Sequence, residues 1–500
     1  MSSVSTPPQS GDESLGQYGY KQELRRDIKR FASFAVCFSF ISITTGIFST
    51  YGTILNTGGP LGIWTWPVSV IGQLLVALVF AALAARMPIA GYSYQWMSRL
   101  TNPKIGWLIG WIAFTFLIVV TVSVDYAIAS VALPALLSYT ATALNEWLIT
   151  AGILIIQLLL IVFSTRWTAR LNNVAVGTEV IGIVVLTILL LVVGLISGGL
   201  HPDHLFSYGA ISASGYFNLG TLTAVGPFFL SFLLGAYTIV GFEAAANLAE
   251  ETEEAHHVVP FSIWLAVLLS GIVGMVFLIA LNLASGNLKD LAASGTPVAD
   301  IVTQTLGTVV GDIFLVIVTF SIFACGMVAF ITATRLVWAM SRDQRFPAHT
   351  ILRRVDVHTN TPLTATLLCG LLMEIVLAVF AFQSDALLNL FSASSLLPAI
   401  IYLATVIMYI VAKKKLPASK GFHLGAFEWP VIILALVWLV FELSIFRDAS
   451  FAKPWLYTVI MFAIGLIYFV YLLFANPAVL SVASVSDEPQ VDLIQPDVQA

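Results

Sequence analysis

Glu243 is the residue whose setting asks for a chemical role. It lies in 235–260, GAYTIVGFEAAANLAEETEEAHHVVP, where an apolar run reaches Gly241, Phe242 and then a carboxylate. An ionisable side chain at the centre of a membrane helix costs roughly 2.5–3.5 kcal/mol, so it needs a function or a partner. The adjacent glycine loosens the backbone at the same depth. Irregular backbone survives there only where it faces protein or a water-filled cavity. A broken helix lining a site is the expected structure, with Glu243 placed to take up a proton or to meet an ammonium group.

A second such place is Ser42-Ile43-Thr44-Thr45-Gly46, hydroxyl-rich, ending in glycine and flanked by apolar sequence. A helix that restarts there presents free N–H groups and the positive end of its dipole, which suits a carboxylate. Where the other helix breaks, freed carbonyls accept from an ammonium group. An amino acid carries both groups. A cation such as choline would use only the carbonyl end, aromatic faces and Glu243.

Three further acidic residues within apolar runs are singled out. Asp125 shares a helix face with Thr121 and is expected either to line the pathway or to bond to a neighbouring helix. Glu179 is expected to gate or to pair structurally, within reach of Arg166 and Arg170. Glu374 is expected to be structural. Together, Glu243, Asp125 and Glu179 are the coupling or gating candidates. A sodium ion between the first apolar run and Thr319/Ser321 is the alternative to a proton as coupling ion.

The chain that positions these residues has 500 residues, of which 59% are apolar and 10% charged, with a mean hydropathy of +0.94. Soluble domains carry about 25% charged residues, so an all-α polytopic membrane protein is expected. Twelve runs are long enough to cross a bilayer at about 20 residues each: 31–55, 61–85, 107–135, 147–164, 172–197, 226–249, 259–283, 308–338, 363–382, 386–411, 428–446 and 455–475, here segments 1 to 12. Nineteen of the 22 Lys and Arg fall in loops on one side, and only Lys289, Arg447 and Lys453 fall on the other. The basic face is therefore expected to be cytoplasmic, with both termini inside and the protein in the plasma membrane. The loop at 250–257 dissents, because it is acidic.

The tails, 1–30 and 476–500, flank a transporter domain at 31–475. The first 20 residues and 482–500 read as disordered, and no cleavable signal is expected. Cys37, Cys325 and Cys369 lie in apolar runs without metal-like spacing and read as core residues. No nucleotide fingerprint, HExxH or GxSxG cluster is present, which speaks against a pump driven by ATP and against an enzyme. Neither a filter motif nor a ring of pore charges suggests a channel, and no ligand or signalling domain suggests a receptor. The expected partners are a small-molecule substrate and the lipid bilayer, with no nucleic acid and no cofactor.

The interrupted segments are 1 and 6, each the first of a set of five. Because five is odd, the second set enters from the opposite side, as in inverted-repeat transporters. Repeat one spans about 31–197 and repeat two about 226–411, and segments 11 and 12 (428–475) fall outside both.

TTGIF at 44–48, NTGGP at 56–60, RMPIAGYSYQW at 86–96 and GFEAAANLAEET at 241–252 followed by VVP carry a resemblance. The chain resembles the amino acid–polyamine–organocation superfamily, and most of all its amino acid/GABA/choline permease branch. His256-His257 stand where that branch usually has basic residues. The resemblance implies a secondary transporter for an amino acid or related amine, working by alternating access through ion-coupled symport or exchange. It implies that Thr44, Thr45 and Gly46 present amides to a substrate carboxylate, and that Tyr237 forms an aromatic gate. Val240 would offer a carbonyl to the amine beside Gly241 and Phe242. Glu243 would fall where some relatives have a proton-responsive carboxylate.

Overall fold

The structure, a computed structural model, describes residues 15–16, 18–163, 165–356, 359, 361–383 and 385–481. Among these, eleven helices are long and apolar enough to cross a membrane. They correspond to every expected segment except the sixth, which is helical only in short pieces, Pro227–Leu230, Leu233–Thr238 and Ala244–Asn247. Segment 1 is divided into Arg30–Ile41 and Ile43–Thr57. Both expected interruptions are therefore present.

Two segments form the centre. The most apolar stretches of segments 1 and 3 are 83% buried, against 22% for segment 4 and 17% for segment 12, so the latter two face lipid. Exposed Phe163, Ile467 and Phe474 mark that lipid-facing surface. The first half of segment 1 packs on segments 5, 7 and 8, while segment 3 packs on segments 8 and 10. Segments 2 and 7 approach closely because Gly271 and Gly274 face Val70 and Trp66, and the Trp66 indole donates to the Gly271 carbonyl at 2.9 Å. Small residues permit such contact where lipid offers no hydrophobic drive to associate.

Several boundaries differ from expectation. Segment 5 runs Thr165–Ser197 and segment 8 runs Thr308–Arg342. Arg170, Arg335 and Arg342, expected in loops, are therefore helical. Charged residues at a helix end read as loop in a hydropathy pattern although they continue the hydrogen-bond ladder. The first basic-face loop contains a helix, Tyr92–Leu100, and Leu288–Ala293 and Pro297–Leu306 join segments 7 and 8. Segment 3 passes through a π turn at Ile128–Ala132, just beyond Asp125. Such turns are frequent at functional sites.

Expected tail disorder falls largely on 1–14, 17 and 482–500, outside the described residues. The expectation fails for 15–16 and 18–20, and the residues that follow them are tied down as well. Leu15 is buried, Tyr20 Oη donates to Asp343 at 2.6 Å, and Gln22 donates to the Glu250 carbonyl at 2.9 Å. Ile28 pairs with the chain beyond segment 6, its N–H donating to Glu251 O at 3.0 Å and its carbonyl accepting from Glu253 N–H at 2.9 Å.

Candidate functional site

The two breaks face each other. Segment 1 turns at Ser42, whose φ of 34° is left-handed for a non-glycine residue. A Cβ built on Gly46 would fall into the side chain of Thr238 of segment 6, and one built on Gly241 would fall into the ring of Phe40 of segment 1. Gly241 also has a φ of 74°, a conformation that other residues enter at a cost. Each break glycine thus lets the opposite broken segment approach.

Of the three amides expected to face a substrate carboxylate at the restart of segment 1, only that of Thr44 meets a carboxyl group, and it belongs to the protein, whereas those of Thr45 and Gly46 are taken up by Ser42. Glu179 Oε1 accepts from Thr44 N–H at 3.1 Å, from Thr44 Oγ1 at 2.7 Å and from Ser42 Oγ at 3.0 Å. Thr45 N–H donates to Ser42 Oγ, 3.3 Å away, and Gly46 N–H to the Ser42 carbonyl at 3.0 Å. Glu179 therefore turns toward the first break, and no ion pair joins it to Arg170 among the described residues. Arg170 stacks on Trp167, and the Arg166 side chain lies outside the described residues. Glu179 thus accepts from one N–H at a helix N-terminus and from two hydroxyls, donors of the kind that suit an anion.

At the second break, Gly241 N–H donates to Tyr402 Oη at 3.0 Å, and that hydroxyl donates to Glu243 Oε2 at 2.7 Å. Tyr402, from segment 10, was not singled out in the sequence. Its distance of 159 residues from Glu243 leaves no local signal. Phe242 packs its ring against Tyr402 and Phe80, with centroids 4.9 and 5.8 Å apart, and so braces the break from behind. No hydrogen bond reaches the Ile239 or Val240 carbonyl among the described residues. These are the acceptors expected for an ammonium group.

Asp125 is fully buried against Gly326 of segment 8. Its Oδ1 accepts from Gln157 of segment 4 at 2.8 Å, whereas Oδ2 and Gln157 Oε1 have no partner. Of its two expected roles, the bond to a neighbouring helix is the one observed. Tyr237 closes over the same region. Its ring lies 4.3 Å from that of Phe391, and its hydroxyl is 3.3 Å from Ser123 Oγ. Tyr237→Phe, which removes only that long hydrogen bond, should retain most transport. Tyr237→Ala removes a buried ring, a change of roughly 3–5 kcal/mol in packed sites, and should weaken apparent affinity at least about tenfold. Uptake at varied substrate concentration reads the difference, and parental kinetics in the alanine variant would remove Tyr237 from the gate.

The alternative sodium position is less well furnished. Thr319 Oγ1 donates back to the Leu315 carbonyl at 2.8 Å, while Ser321 Oγ is buried without a partner. The group of segment 8 that meets the first break is Cys325, whose thiol donates to the Phe40 carbonyl at 3.3 Å. Sulfur is a poor ligand for a hard cation. Two other carboxylates, buried Glu442 and half-buried Glu374, stand apart from the breaks. Glu442 of segment 11 accepts from Gln73 at 3.0 Å, and Glu374 forms no hydrogen bond with either break.

A cavity of about 760 Å³ lies on the basic face between segments 1, 4, 5, 6 and 8, lined among others by Val36, Asn172, Leu248, Glu251, Val328 and Arg335. It does not reach the breaks. Val36 lies six residues before Ser42, about 9 Å along a helix. Two ion pairs border this region: Glu251 with Arg335 at 2.6 Å and Glu250 with Arg342 at 2.8 Å.

The profile of the amino acid permease family matches residues 28–488, spanning both breaks and all twelve segments. The chain belongs to the amino acid permease family. It is similar to the amino-acid permease BAT1 of Arabidopsis thaliana, 27% identical over 477 residues covering 89% of each chain. It is also similar to amino-acid permease 2 of Neurospora crassa, 26% identical with 88% of this chain and 82% of the relative covered. A putative polyamine transporter of Candida albicans is 25% identical, with 84% and 78% covered. The chain is thus an amino acid permease by family, a transporter and not an enzyme. The permease motifs at 86–96 and 241–252 prove to be two sides of one joint. Glu250 Oε1 accepts from Ala90 N–H at 3.0 Å, and Asn247 Oδ1 from Gly91 N–H at 3.1 Å. This joint, with the pairs to segment 8, also accounts for the acidic loop that dissented from the charge pattern.

Proposed function

We propose that this permease is a secondary transporter that binds an amino acid or related amine between the two breaks and moves it by alternating access, coupled to protons. The observation that carries this reading is the carboxylate of Glu179 in the anion seat of segment 1. A substrate carboxylate must displace it, and a protonated Glu179 yields the seat more readily than an ionised one. The ammonium group would meet the Val240 carbonyl, with Glu243 within the same broken segment. Repeat one, 31–197, and repeat two, 226–411, would move against each other, and the cavity on the basic face would be the route to the cytoplasm. In this reading both termini are cytoplasmic and the membrane is the plasma membrane. A proton is favoured over sodium because a thiol occupies the Phe40 carbonyl.

The test is the pH dependence of uptake in proteoliposomes for Glu179→Gln and Glu243→Gln. Glutamine keeps size and hydrogen bonding but cannot titrate. If Glu179 carries the coupling proton, its glutamine variant still exchanges substrate across the membrane but no longer accumulates it against a gradient when the outside is acidified. If Glu243 is also a proton carrier, its variant shows the same loss. If Tyr402 only pins it, the pH profile stays parental. A parental pH profile in both variants would sink the proton mechanism.

A further inference from the structure

The face opposite the basic loops carries a group of side chains that the transport reading does not use. After segment 5 the chain makes a short turn, Pro202–Phe206, which places His201, Asp203 and His204 together. Their ligand atoms all lie within 4.8 Å of one another. The turn is held on both sides. His201 N–H donates to the Leu283 carbonyl at 2.8 Å, and Trp64 donates to the Leu205 carbonyl at 2.8 Å while stacking on Phe206.

The hydrogen bonds fix the protonation pattern of one imidazole. Ser285 Oγ donates its single proton to the Asn282 carbonyl at 2.6 Å. Its contact with His204 Nδ1, at 2.8 Å, must therefore be one in which Nδ1–H donates. That leaves Nε2 with a bare lone pair, 3.9 Å from Asp203 Oδ2. The His201 ring stacks beside that of His204 with centroids 4.9 Å apart.

We propose that His201, Asp203 and His204 form a binding site for a divalent transition-metal ion of the zinc or copper class. Two imidazoles and a carboxylate are a donor set that suits these ions, with water completing the coordination. Two ligand atoms at about 2.0–2.2 Å from one tetrahedral ion stand roughly 3.3 Å apart, so the 3.9 Å spacing of His204 and Asp203 needs only a small closure. Ser285 is the outer partner that orients His204, as buried hydrogen-bond acceptors commonly do for metal-binding imidazoles.

The test uses the purified full chain in detergent with Cu²⁺ as a spectroscopic probe and Zn²⁺ as competitor. The wild type should bind one Cu²⁺ with nitrogen hyperfine structure from two imidazoles, displaced by Zn²⁺. The double variant His201→Ala/His204→Ala should lose that signal, and what remains measures the other five histidines. Asp203→Asn, which cannot disturb folding of an exposed position, should weaken binding. Ser285→Ala should weaken it about 10- to 100-fold, the usual effect of removing an outer partner. Retention of the wild-type spectrum and affinity in the double variant would overturn the proposal, as would a wild-type spectrum without imidazole nitrogen.

Discussion

Replacing Gly241 with alanine is expected to abolish transport and to lower the thermal stability of the permease markedly. Two costs combine at this residue. Its φ of 74° is left-handed, and holding a non-glycine residue in a sparsely populated region costs about 1–3 kcal/mol. The new Cβ would also fall into the Phe40 ring, and overpacking of this kind costs about 1–3 kcal/mol. The sum is comparable with much of a typical stability margin of roughly 5–15 kcal/mol. The affected backbone also holds Tyr402 and, through it, Glu243. Thermal unfolding in detergent, together with uptake, measures both effects. In a Phe40→Leu background the further loss caused by Gly241→Ala should be smaller than in the parent, because the smaller side chain relieves the collision but not the dihedral. Parental stability in Gly241→Ala would mean that the break is not held as described.

The second large effect is expected at Glu250. Its side chain is fully buried, accepts from both terminal nitrogens of Arg342 at 2.8 and 2.9 Å, and accepts from Ala90 N–H. Glu250→Ala leaves the Arg342 charge without its carboxylate in a nearly buried position. Breaking a buried pair in this way costs about 3–5 kcal/mol. Replacing both partners with apolar residues of similar volume is often neutral or stabilising. Glu250→Leu/Arg342→Met should therefore be more stable than Glu250→Ala alone. A double variant no better than the single one would show that the pair is not the source of the loss.

Much of this architecture was legible because hydropathy and charge are local signals. Glycine with a carboxylate at 241–243 marked one break, and the hydroxyl run ending at Gly46 marked the other. Their positions as first and sixth segments linked them. The partners of the carboxylates were not legible. Glu179 bonds to residues 135 and 137 positions away, and Tyr402 reaches Glu243 across 159. Such pairings are set by how helices pack, and a buried tyrosine in an apolar run looks like any other core residue. The same gap explains Arg335 and Arg342. Each reads as a loop cation, yet each lies within the last turns of segment 8 with its charge matched by the acidic stretch beyond segment 6. Gln157, which holds Asp125, lies in a lipid-facing segment and offered no pattern to mark it.

The most direct test of the central claim is a substrate panel measured by radiolabelled uptake into proteoliposomes containing only the purified chain. Amino acids, their decarboxylated amines, polyamines, GABA and choline would each be offered with and without an inward proton gradient, and with and without sodium. If the paired breaks are the substrate seat, an amino acid is taken up in preference to its own decarboxylated amine, because the amine has nothing to place where Glu179 now sits. Accumulation should also follow the proton gradient and ignore sodium. Equal uptake of an amino acid and its decarboxylated amine, independent of the proton gradient, would contradict the account.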